Sequence, residues 1–167
     1  MEDKEAIDNA WKIHAAQVDW TGKVDAKASF AFALESAVIA TTVALSADGR
    51  LFSNLTTGIT PVFYWLGLLS LVAGAFFALV VVRPRLKATG LQKASSENYI
   101  YFGHAQYWES DELDAALRKG DILPVITRQI VVMADIAWQK HRWVQWSMTL
   151  GGVGGALLVA CGLIQSF

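Results

Sequence analysis

Six polar side chains could together hold a small ligand carrying a phosphate: Asp25, Lys27, His104, Arg128, Lys140 and Arg142. His104 stands among Tyr99, Tyr101, Phe102, Tyr107 and Trp108. Aromatic rings at this density can stack a nucleobase, and a guanidinium brought close by the fold can hold a phosphate. The competing account is a small aromatic core, with Trp138, Trp143 and Trp146 beside Lys140, His141 and Arg142 as a membrane-interface belt. Asp25 and Lys27 have their own plain account, a charge pair at a membrane boundary. No Ser/His/Asp set, phosphate-cradling glycine loop or spaced set of metal ligands accompanies these residues, so the sequence predicts neither an enzyme nor a cofactor.

Glu35 is of a different kind, because it lies inside an apolar stretch. A carboxylate there is costly and usually faces a bundle interior or water. It could be a gate, a proton site or an intersubunit hydrogen bond. About two turns from Lys27, it could equally reach water at the interface. Gly151 and Gly155 are four residues apart in another apolar stretch. Small residues at that spacing let helices approach closely, within one chain or between copies of it.

The elements that must position these residues are set by hydropathy and charge. Of the 167 residues, 54% are hydrophobic. They concentrate in three stretches, 28–47, 61–82 and 143–167. Each is near the ~20 residues needed to cross a bilayer. Of 14 Lys and Arg, 13 lie before the first stretch or between the second and third, and only Arg50 lies between the first two. The positive-inside rule then makes the N-terminus and the 83–142 segment cytoplasmic. The N-terminus has no cleavable signal pattern. A net charge of −1 gives no electrostatic reason to bind nucleic acid. The single cysteine, Cys161, excludes an intramolecular disulfide and reads as a small core residue.

The expectation is an all-α integral membrane protein with three transmembrane helices. Residues 1–27 form a cytoplasmic amphipathic helix with Ile7, Ala10, Trp11, His14 and Val18 on one face. It runs on into the first span, with a bend possible at Gly22. Residues 48–60 are an external loop. Residues 83–142 are a cytoplasmic helical insert opened by Arg83, Arg85 and Lys87, with an irregular stretch over 88–98. A short helix covers 111–119, capped by Ser110 and ended by Gly120. A second helix starts near Leu123 or Pro124, places Ile126, Ile130, Met133 and Ala137 on one face, and continues into the third span.

Three motifs add a likeness. They are Asp25-Ala26-Lys27-Ala28-Ser29 at the first span, Tyr101-Phe102-Gly103-His104 after the second, and Arg128-Gln129 with Ile136-Ala137-Trp138-Gln139-Lys140-His141 before the third. In this order around three spans they resemble the transmembrane effectors of Pycsar antiphage defence, over about residues 15 to 160. The resemblance implies a partner pyrimidine cyclase that makes cCMP or cUMP upon infection. The effector would sense that cyclic nucleotide through its helical cytoplasmic segments and impair the inner membrane, stopping growth or killing the infected cell. The glycines of the third stretch, in a protomer too small to form a pore alone, point to a homo-oligomer in contact with membrane lipid. Two other classes remain: a small channel or transporter subunit using Glu35, and a non-catalytic membrane scaffold.

Overall fold

The computed structural model describes residues 2–56, 58–84 and 90–166. Arg85 and Lys87 of the expected basic run, Thr57 of the loop and Phe167 at the end of the third stretch lie outside the described residues. Among the described residues every regular element is a helix: α1 (Glu2–Leu45), α2 (Thr60–Val82), α3 (Leu91–Ser95), α4 (Phe102–Ala105), α5 (Ser110–Lys119) and α6 (Ile122–Ser166). Helices α1, α2 and α6 are long and apolar enough to cross a membrane.

Local chemistry explains the ends. Pro61 sits in the first turn of α2, where its missing N–H costs nothing. Arg83 turns extended at the other end, as the residue before Pro84 must. The loop between α1 and α2 turns through Gly49 and Gly58, both at positive φ (70° and 54°). Helix α6 starts at Ile122 because the Asp121 carboxylate accepts the Leu123 N–H at 3.0 Å, an N-cap contact.

Two local expectations change and a third holds with a different geometry. Residues 88–98 are not wholly irregular, since Gly90 in the left-handed region leads into α3. Ser110 is the first residue of α5 rather than its cap. The cap position is Glu109, and the Ser110 hydroxyl donates to Asp111 Oδ1 at 3.4 Å. Gly120 does end α5, but in extended geometry (φ −80°, ψ 151°), its N–H donating to Ala116 O at 2.7 Å.

The chain divides into two compact units. The insert unit holds Met1–Gly22 and Pro84–Gln139, and the spanning unit holds Lys23–Arg83 and Lys140–Phe167. The buried side of each long helix follows alternating steps of three and four. On α2 it is Thr60, Tyr64, Gly67, Leu71, Gly74, Ala78 and Val81. On α6 it includes Ile126, Ala137, Val144, Ser147, Gly154, Leu158 and Cys161. A 3.5-residue repeat of this kind is the spacing of coiled-coil packing.

On α1 the same steps pass through Ala10, His14, Gln17, Thr21 and Val24, then Ala28, Ala31 and Glu35. This corrects the expected face of α1. Trp11 is 39% and Val18 50% exposed, while Gln17 is 7% exposed. Ala10 and His14 lie in the seam as expected, but it turns away from Trp11 and Val18 toward Gln17 and Thr21.

Within the spanning unit the helices meet backbone to backbone. A Cβ added to Gly154 would lie 2.7 Å from Gly67 O, and one added to Gly67 would lie 3.0 Å from Gly154 O. Hydrogen bonds supplement this contact. Ser70 Oγ donates to Leu150 O at 2.8 Å, Ser46 Oγ and Tyr64 Oη are 2.8 Å apart, and the buried Cys161 thiol donates to Thr60 O at 3.4 Å. Such small-residue contacts and interhelical hydrogen bonds drive association where lipid offers no hydrophobic gain. Phe30, Leu34, Leu69, Phe76, Val159 and Leu163 point outward, each more than half exposed. That outer surface suits a hydrocarbon surround.

Candidate functional site

The insert unit is organised around the segment between α3 and α4. The Trp108 indole N–H donates to Ser95 O at 2.8 Å and to Asn98 O at 3.2 Å. Tyr99 meets the Trp108 ring edge-on, with centroids 5.6 Å apart. Arg128 reaches the same segment from α6. Its guanidinium donates to Glu97 O and Asn98 Oδ1, each at 3.2 Å, and pairs with the Glu97 carboxylate at 3.4 Å. Arg128 and Trp108 therefore converge on Asn98, although 20 positions separate them in the chain.

His104 belongs to α4, where Tyr101 packs edge-on against its ring at 5.5 Å. Gly103 makes that turn possible, because any Cβ there would collide with the Tyr101 ring. The His104 Nδ1 is buried without a hydrogen-bond partner. Among the described residues one other buried side-chain atom shares that condition, Gln17 Oε1. Both belong to the insert unit.

Asp25, Lys27, Lys140 and Arg142 all fall in the spanning unit, so the six expected ligand residues divide between two units. Asp25 and Lys140 pair with each other. Both carboxylate oxygens of Asp25 lie 2.7 Å from Lys140 Nζ, and the Lys140 side chain is 13% exposed. The pair joins α1 to α6 beside the apolar cluster of Val24, Ala28, Val81 and Val144. Lys27 and Arg142 are exposed.

Glu35 is 5% exposed and faces into the helix bundle. Ser147 Oγ donates to it, 3.2 Å from Oε1. Gly74 on α2 and Gly151 on α6 make the room: a Cβ on Gly74 would sit 2.8 Å from Glu35 Oε1, and one on Gly151 would collide with the same atom. Gly155 has open space at its Cβ position, and the tightest approach of an α6 glycine to another helix's backbone is made by Gly154. Beside Glu35 a groove of about 740 Å³ opens between α1 and α6, lined by Lys27, Phe30, Leu34, Met148, Gly151 and Gly155 among others.

Sequence reasoning missed Gln17, Ser147, Gly74 and Asn98. Gln17 and Ser147 were visible in principle, since each occupies a three-four step of its helix. Asn98 carried no signal, because its role depends on Arg128 arriving from a distant helix. Among the described residues no group of His, Cys, Asp and Glu is arranged to hold a metal.

Among the described residues, helices without strands, three of them of spanning length and packed through glycines around the buried Glu35, define an all-α membrane protein. Residues 9–165 match the family described as the Pycsar effector protein domain. With nearly its whole length matched, the chain belongs to the Pycsar effector family, and its role is that of an effector in antiphage defence. No curated protein and no solved structure matches it.

Proposed function

We propose that this effector senses a cyclic pyrimidine mononucleotide, cCMP or cUMP, in its insert unit and responds by repacking its spanning helices. The inner membrane then loses integrity, and the infected cell stops growing or dies. The protein acts without catalysis, as a homo-oligomer in the inner membrane, with the N-terminus and the insert in the cytoplasm. Its link to the pyrimidine cyclase is that enzyme's product. The charge distribution supports the orientation, with 13 of 14 basic residues on one side.

The observation that carries the reading is the family match over residues 9–165, which takes in both units. Helix α6 adds a route. It is continuous from Ile122 to Ser166 and bears Arg128 near one end and Ser147, the partner of Glu35, further along. A ligand that prefers one setting of this helix shifts the population by its differential affinity, and by nothing else. Arg128 and His104 are the first candidates for ligand contact, with Asp25, Lys27, Lys140 and Arg142 after them.

The test is a titration of the detergent-solubilised protein with cCMP, cUMP, cAMP and cGMP, following heat and melting temperature. Saturable binding of one pyrimidine nucleotide, and neither purine nucleotide, is the expected result. Folded protein that binds none of the four removes the sensor.

The groove beside Glu35 favours a second reading, a small oligomeric channel in which that carboxylate meets ions or protons. Glu35→Gln would then change conductance in planar bilayers with no nucleotide present.

A further inference from the structure

We infer that Gln17 is a base-reading residue of the ligand site in the insert unit, its amide meeting the hydrogen-bonding edge of the pyrimidine; this rests on the sensor reading above. Gln17 is 7% exposed, and its Oε1 is buried with no partner. Leaving an amide oxygen buried and unbonded costs free energy that an aliphatic side chain at the same place avoids. A polar residue in a helix seam can serve to set register, but it does so by bonding across the seam. This oxygen bonds nothing.

The nearest hydroxyl along the helix does not supply the missing donor. The Thr21 hydroxyl, one turn on, spends its proton on the Gln17 backbone carbonyl at 2.8 Å. Elsewhere in the unit, the Trp108 indole N–H is taken by Ser95 O and Asn98 O, and Arg128 Nη1 is occupied by Glu97 and Asn98. The two atoms left over, Gln17 Oε1 and His104 Nδ1, are the kind a ligand would satisfy.

The chemistry of an amide suits a pyrimidine. Its oxygen accepts one hydrogen bond while its NH2 donates another alongside. Uracil offers N3–H as donor next to a carbonyl acceptor. Cytosine offers its N4 amino group next to the N3 acceptor. Either edge pairs with the amide once the side chain is turned to match. A carboxylate cannot make the second bond, and an aliphatic group makes neither. Sites built to hydrogen-bond a ligand lose affinity steeply when one partner is removed, because the other is left unpaired.

The experiment compares the full-length wild type in detergent with Gln17→Leu, Gln17→Met, Gln17→Glu and His104→Phe, each titrated with cCMP and cUMP and melted with and without them. Met keeps the length and flexibility of Gln, and Phe keeps the ring against Tyr101. Both controls therefore remain informative if Leu disturbs folding. For the Leu and Met variants we expect ligand-free melting temperatures at or above wild type, with affinity reduced about ten- to hundredfold. Gln17→Glu and His104→Phe should also lose at least tenfold. Leu and Met variants that bind within twofold of wild type would overturn the assignment and leave Gln17 as a seam residue with a trapped water. A wild type that binds neither nucleotide sinks the sensor reading itself, a result distinct from a binding wild type whose variants bind equally well.

Discussion

In the spanning unit the buried polar residues Glu35, Thr42, Thr60 and Ser147 all have partners, whereas in the insert unit Gln17 and His104 each bury an atom with none. The spanning unit also closes its seam with backbone contacts at Gly67 and Gly154. Within the insert unit, Arg128 reaches Glu97 and Asn98 with a side chain that is 47% exposed. One region has satisfied its hydrogen bonds internally and is held by shape. The other retains unsatisfied groups, and its Arg128 contacts are ones that water can replace. Unsatisfied groups and weak ties are what a region needs if it is to be completed by something else.

Substitutions can test this contrast, beginning with the one expected to act most strongly. Gly154→Ala pushes a methyl toward Gly67 O and Leu71, and α2 and α6 must separate to admit it. We expect a loss of about 1–3 kcal/mol, seen as a lower melting temperature in detergent. An unchanged melting temperature would mean that the spanning unit is not held by shape at this point. Asp25→Asn comes next. It leaves the largely buried Lys140 ammonium without its counter-charge and should cost about 1–2 kcal/mol. Arg128→Ala should cost under about 1 kcal/mol, because its ion pair with Glu97 is exposed, and membrane insertion should be intact. Its nucleotide response should nevertheless disappear, so stability and response separate at this residue. A fully responsive Arg128→Ala protein takes Arg128 out of the site. Glu35→Gln should change stability least, since the amide oxygen can still accept from Ser147. A large loss of stability would show that the charge, rather than the hydrogen bond, matters to the seam.

The same contrast explains what could be read without a structure. The long helices were legible because hydropathy and charge segregation are strong over ~20 residues. Glu35 was legible as an oddity, but its partner was not, because Ser147 comes from another helix 112 positions away. The insert was harder. Ile7, Ala10, Trp11, His14 and Val18 suggested a face for α1, and the real seam keeps Ala10 and His14 but continues through Gln17 and Thr21, which hydropathy alone rejects. Short helices such as α3 and α4 carry too few residues for a period to emerge. The division of the six expected ligand residues between two units depends on tertiary placement, which spacing along the chain does not encode.

Cys161, fully buried against Thr60 O, is the sole thiol in the chain. It therefore serves as a built-in clock. A maleimide can alkylate it only while α2 and α6 are apart at that level. When closing is faster than alkylation, the labelling rate relative to that of the denatured protein equals the fraction of time spent open. The molecule thus reports the breathing of its own membrane seam, with no engineered probe, and the ratio of rates with and without nucleotide tests whether a nucleotide changes the open fraction.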